Sequence, residues 1–165
     1  WNAKQKIAQN VSTKANRFNA LDEEEFIKQI WETPWEFAVT RGLNEVWESA
    51  VEKAIQLNPK HIEARWVLIE VYIQLPTILG GSQEKAIQYS NELLKISAVD
   101  GYLSKGHIYE YYKKYTLAES QYKNAISVGN SKNSYQKLAD LYKNKMNMPE
   151  KAKQTLNTYN EINKT

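Results

Sequence analysis

The chain has two histidines, His61 and His107, and acid–base or metal chemistry would have to start from them. A metal ion needs further ligands at helical or loop spacing, such as His-x-x-x-His or Glu-x-x-His, and neither pattern is present. His61 follows Pro59, where the first turn of a helix is expected. The chain has no cysteine, which excludes disulfides, thiolate zinc sites and a cysteine nucleophile. Gly80-Gly81-Ser82 opens a helical pattern, and backbone amides at a helix start can hold an anion. The stretch lacks the Gly-x-x-x-x-Gly-Lys-Ser/Thr spacing and follows a helix rather than a strand, so Ser82 reads as an N-cap after a turn. Glu23, Glu24 and Glu25 resemble a ligand cluster, but a helix N-terminus whose dipole favours negative charge accounts for them. These residues point to no catalytic set, no cofactor site and no metal site, and hence to a protein that is not an enzyme.

Charge and hydropathy narrow the class further. Hydrophobic residues make up 42% of the 165 and charged ones 25%, which suits a folded domain and is too apolar for a disordered chain. The net charge of +3 is small for a dedicated nucleic-acid binder. Its distribution is uneven: residues 1–100 carry a net −3 and residues 101–165 a net +6, which leaves self-association of an acidic end with a basic end open. No run of 18 apolar residues occurs, so no membrane span is expected. The chain opens on Trp1 rather than methionine, which reads as a processed or truncated product with any targeting peptide upstream.

The elements that would position these residues are helices. Six glycines and four prolines punctuate the chain at separated points, and no Asn-Gly or Asp-Gly pair lies between alternating strands. Ile7, Val11, Ala15 and Phe18 fall at helical spacing; Phe26, Ile27, Ile30 and Trp31 lie on a second helix that Pro34 ends or kinks. A third segment, about 36–57, stops at Asn58-Pro59. Paired helices then follow over about 61–74 and 82–96, 99–112 and 115–128, and 132–144 and 149–162. Each is too short to persist alone in water and must bury an apolar stripe against neighbours. Trp1, Trp31, Trp35 and Trp47 crowd the first third, where they would cover the end of the array.

With a period near 34 residues, the pairs resemble the tetratricopeptide repeat. In the clearest copy Tyr102, Gly106 and Tyr109 occupy the aromatic, small and aromatic positions of the first helix. Tyr115, Ala118, Tyr122 and Ala125 occupy those of the second. The preceding copy has Leu68, Tyr72, Ala86 and Leu93, with an insertion at 76–80 and Trp66 one place off. The following copy has Tyr135, Leu138, Ala139, Tyr142, Ala152, Leu156 and Tyr159. Asn58 through Trp66, with Leu75-Pro76 and Gly80-Gly81-Ser82, also resembles a bacterial subfamily of exported or envelope-associated repeat proteins. The resemblance implies an all-α fold: a right-handed α-α superhelix, a TPR-like solenoid, with a helical N-terminal cap. The resemblance covers about 45–162; the whole chain, 1–165, reads as a single helical-repeat domain, with a cap at 1–35, a partial repeat at 36–60 and repeats at 61–98, 99–131 and 132–163.

In that family the first helix of each repeat lines a concave groove. By resemblance the groove residues are Glu63, Trp66, Glu70 and Ile73; then Asp100, Leu103, His107 and Glu110; then Asn133, Gln136, Asp140 and Lys143. The lysine and asparagine clamp that members use for a chaperone C-terminal carboxylate is missing. Five carboxylates against one lysine imply a groove for a basic or mixed peptide, anchored on Trp66 and Leu103. The expected function is a non-catalytic protein- or peptide-binding scaffold. The alternative is a helical-repeat RNA binder using the basic C-terminal half, against which stand the acidic groove and only three arginines.

Overall fold

A computed structural model describes residues 44–75, 77 and 80–164, with side chains from residue 48 onward. The described chain is all-α. Its helices are α1 (Asn44–Leu57), α2 (Ile62–Gln74), α3 (Gln83–Ile96), α4 (Ala98–Tyr111), α5 (Tyr115–Gly129), α6 (Lys132–Asn144) and α7 (Pro149–Ile162). From α2 onward these match the six helices expected from the apolar period to within one residue at each end. The helices expected before Pro34, the cap at 1–35, and Pro76, Ile78 and Leu79 of the insertion lie outside the described residues.

The chain divides into two compact units, Trp1–Ser82 and Gln83–Thr165. The division falls between the two helices read from the sequence as one repeat, 61–98.

In the first unit α1 packs on α2. His61 caps α2 with its own side chain, Nδ1 accepting from the Ala64 amide, and the Arg65 guanidinium donates to the His61 carbonyl at 2.9 Å. Ala64, Val67, Leu68, Ile69, Tyr72 and Ile73 are buried, so α2 is enclosed around most of its circumference. The Tyr72 hydroxyl donates to Glu48 of α1, giving the buried ring a polar outlet.

In the second unit each helix packs on the next, and α4 also touches α6, two elements on. The direction of packing can be read from which residues meet. Between α3 and α4, Leu94 lies against Gly101 and Ser90 against Ser104. Between α4 and α5, Gly106 meets Tyr122 and Val99 meets Gly129. Between α5 and α6, Asn130 at the end of α5 meets Tyr135, and Glu119 meets Tyr142. Between α6 and α7, Tyr135 meets Tyr159 and Tyr142 meets Lys151. In every pair a step forward on one helix is a step back on its neighbour, so the five helices alternate in direction.

The crossings are close because small residues sit in them. A Cβ on Gly106 would stand 2.3 Å from the Tyr122 ring, and one on Gly101 would stand 2.6 Å from the Leu94 backbone. Ala86, Ala118, Ala125, Ala139 and Ala152, the other small positions of the repeat pattern, are all buried. Tyr122, Leu93, Leu138 and Leu141 fill the space between. Ser90 and Ser104 are fully buried 2.7 Å apart, and both reach the Gly101 carbonyl, so the polar atoms in the α3–α4 crossing satisfy one another.

Helix ends follow local chemistry. Ser97 caps α4 by accepting from the Asp100 amide and donates in turn to the Asp100 carboxylate at 2.6 Å. Ser131 caps α6 through the Ser134 amide. Pro149 occupies the first turn of α7, where its missing N–H costs nothing. Asn130 ends α5 in the left-handed conformation, φ 43°, with its side chain held by the Tyr135 hydroxyl.

Candidate functional site

The groove residues expected from the sequence fall in both units. In the first unit Glu63 is exposed, 3.1 Å from His61 Nδ1. Trp66 and Glu70 are half-buried, and Glu70 accepts from Gln74 one turn on. Ile73 is 2% exposed, and in the second unit Leu103 is 5% exposed. Both therefore belong to the packed interior. This corrects the expectation for these two residues, and with it the idea of Leu103 as a peptide anchor: no ligand reaches an apolar side chain already withdrawn from water. Repeat register alone puts both residues at groove positions, but side chains this apolar go to the interior.

The remaining residues of the second unit lie on α4 and α6, which touch. His107 and Glu110 stand one turn apart on α4, both half-buried. Gln136 and Lys143 are exposed on α6, and Asp140 between them is half-buried. Gln136 donates to Asp140 at 2.9 Å, which orients that carboxylate along the helix. Asp100 is committed to the start of α4 through Ser97, and Asn133 is exposed in the first turn of α6.

Tyr122 ties the face together from beneath. Its ring is buried against Gly106, and its hydroxyl donates to Glu110 at 2.8 Å. Burial pushes the phenol well above its ordinary range, and the charges of Glu110 and Asp140 push it the same way. The phenol therefore stays a neutral donor at any pH the fold survives. Glu110 of α4 thus accepts from a donor that cannot neutralise it, and the charge of Asp140 on α6 is felt at the same hydroxyl. The resulting face can attract a cation or a hydrogen-bond donor.

A second cluster lies between α5, α6 and α7, and sequence reasoning did not single it out. Glu119 pairs with Lys123 at 2.6 Å and accepts from the Tyr142 hydroxyl at 2.7 Å, while Lys151 stands 5.5 Å over the Tyr142 ring. The hydrogen bond from Lys123 holds the Glu119 carboxyl below its ordinary range, aided by Tyr142 and opposed by burial. Burial first, then the bond to Glu119, raises the Tyr142 phenol. The i, i+4 spacing of Glu119 and Lys123 is a legible signal; their meeting with Tyr142 depends on how α5 and α6 pack.

Among the described residues, no three or more His, Asp or Glu side chains converge on a possible metal position. None of the described helices is long and apolar enough to cross a membrane. No protein-family model and no curated protein matches this chain.

Proposed function

We propose that this chain is a non-catalytic helical-repeat scaffold whose second unit receives a basic or mixed peptide segment along the adjoining faces of α4 and α6. The observation that carries the reading is the contact of α4 with α6, which sets Glu110, held by the Tyr122 hydroxyl, and Asp140 on adjoining helices. Support for a tetratricopeptide-like superhelix comes from alternating helix direction, glycine- and alanine-lined crossings, and the near-34-residue spacing of Tyr102–Ala118–Tyr122 with its neighbours. In a stack of that kind each helix pair touches only its neighbours and the first helices share one open face. His107, Gln136 and Lys143 then border the two carboxylates and set register by hydrogen bonds, while the carboxylates supply attraction.

The test is a selection of displayed peptides on the full chain, followed by binding measurements with Asp140→Lys. Enrichment of lysine- or arginine-containing peptides, with affinity lost in Asp140→Lys and weakened by added salt, supports the reading. Peptides that bind Asp140→Lys equally well, or no enrichment at all, reject it. Retention of single-stranded RNA at moderate salt, in preference to any peptide, would instead favour the basic C-terminal half as a nucleic-acid surface.

A further inference from the structure

We propose that the edge of the second unit formed by the α4–α5 and α6–α7 turns is an electrostatic docking surface for an anionic phospholipid membrane. Because the helices alternate in direction, these two turns and the start of α3 lie on one edge, and Lys114 Nζ within 3.5 Å of Gln83 Oε1 records that placement directly. The edge carries Lys85, Lys113, Lys114, Lys143, Lys145 and Lys151 against Glu84, Glu110 and Glu150. Glu110 is already engaged by Tyr122. The opposite edge carries Lys95, Lys132 and Lys164 against Asp100 and Glu161, so the positive charge is concentrated on one side.

Helix dipoles do not absorb this charge. The edge holds the C-termini of α4 and α6 but the N-termini of α3, α5 and α7, so the summed dipole there is itself slightly positive. Lys113 adds a second indication. It sits at the tip of its turn with φ 58°, a conformation that favours glycine or asparagine, yet the chain places a cation there. The corresponding left-handed residue of the α6–α7 turn is Asn147. Both turns are fixed by backbone bonds, Lys114 to Tyr109 at 2.8 Å and Met148 to Tyr142 at 2.8 Å, so the lysines project from rigid supports.

The chemistry around the lysines selects the partner. Tyr111 and Leu117 are each 48% exposed beside Lys113 and Lys114, and Tyr111 stands edge-on to Tyr112 at 5.3 Å. Exposed aromatic and aliphatic side chains among lysines suit the headgroup boundary of a bilayer, where the ring is half-solvated and the ammonium meets lipid phosphate. A nucleic-acid reader would be expected to use arginine for bidentate phosphate contacts and stacking, and residues 83–165 contain none. This surface shares Glu110 and Lys143 with the end of the α4–α6 face, but its charge does not depend on what that face binds.

The experiment is flotation of the full chain with vesicles of phosphatidylcholine alone or with about 30 mol% phosphatidylglycerol. Binding is expected only with the anionic lipid, and is expected to fall at least roughly tenfold between about 50 and 300 mM salt. Each lysine is worth roughly fivefold in partitioning. Replacing Lys113, Lys114, Lys143 and Lys145 together by Gln should therefore reduce binding by roughly several hundredfold, with the helical circular dichroism unchanged. Replacing Lys95, Lys132 and Lys164 by Gln should reduce it only a few-fold, and Tyr111→Ser likewise. Equal losses in the two lysine variants would overturn the proposal, as would absence of binding to anionic vesicles at low salt. A single-stranded oligonucleotide that displaces the vesicles and is itself lost in the four-lysine variant would assign the edge to nucleic acid instead.

Discussion

The first helices of the α4–α5 and α6–α7 hairpins share one spacing of aromatic and small residues, Tyr102, Gly106 and Tyr109 against Tyr135, Ala139 and Tyr142, yet the two hairpins are held by different forces. In α4–α5 the Tyr122 ring is fully buried against Gly106, and Val99 closes onto Gly129 at the far end. In α6–α7 the residue four past the buried alanine is Leu156 rather than an aromatic, and it is only half-buried; Tyr159, one turn on, is half-buried too, its ring 5.3 Å from Tyr135 and tilted by 54°. Only Ala152 of α7 is buried. The reason is position: α5 has a helix on each side, α4 and α6, while α7 packs extensively on α6 alone among the described helices. A repeat motif specifies which residues meet. How much free energy the meeting contributes depends on what lies on the other side.

This difference predicts unequal costs for the same substitution. Tyr122→Ala removes a buried ring and leaves a cavity between two helices, and should cost about 3–5 kcal/mol in urea unfolding. Tyr159→Ala removes a ring that water already reaches, and should cost no more than about 2 kcal/mol. Equal losses would break the contrast between inner and outer hairpins.

Gly106→Ala sharpens it. The new methyl gains about 1 kcal/mol of helix propensity but must displace the Tyr122 ring, and overpacking should leave a net loss of about 2 kcal/mol. The same change should be milder in a Tyr122→Leu background, because the ring atoms it strikes are gone. A double-mutant cycle with no coupling would mean that the crossing relaxes freely. Smaller again is Ser90→Ala in the α3–α4 crossing. Ser104 keeps the Gly101 carbonyl as a partner, so the loss should be about 1 kcal/mol in thermal unfolding.

The legible part of this molecule was the part governed by local spacing. Proline, glycine and the apolar period place six helices, and Gly106, Ala118 and Ala125 carry the crossing positions in plain view. Ser97 three residues before Asp100 is also readable as a cap, since a hydroxyl at that spacing can accept from the Asp100 amide while donating to its carboxylate. What the spacing could not give is which face of a helix stays open. Ile73 and Leu103 hold groove positions by register and interior positions by burial. Nor could it place Tyr142 beside Glu119, because residues 23 apart meet only once two helices have packed.

That last cluster yields the smallest effect and the one with a pH signature. Glu119 is held below its ordinary carboxyl range in the folded chain, chiefly by Lys123 and further by Tyr142. A group whose acidity is increased by folding stabilises the fold above its unfolded value, near 4.5, and that stabilisation is lost as pH falls through the lower folded value. Glu119→Gln keeps an acceptor for the Tyr142 hydroxyl but loses the ion pair, whose lysine is largely exposed and screened. At neutral pH the variant should therefore be less stable by only about 1 kcal/mol. In acid the wild-type carboxyl protonates and the two proteins should converge, whereas a difference undiminished at low pH would mean that shape rather than charge holds α5 to α6. Because Lys151 also faces the Tyr142 ring and adds its charge to the lowering of the Glu119 carboxyl, Lys151→Met should lower stability slightly and make the acid dependence somewhat shallower without abolishing it. The outer hairpin is then tuned by charge at its edge, where the inner one is fixed by the fit of a ring against a glycine.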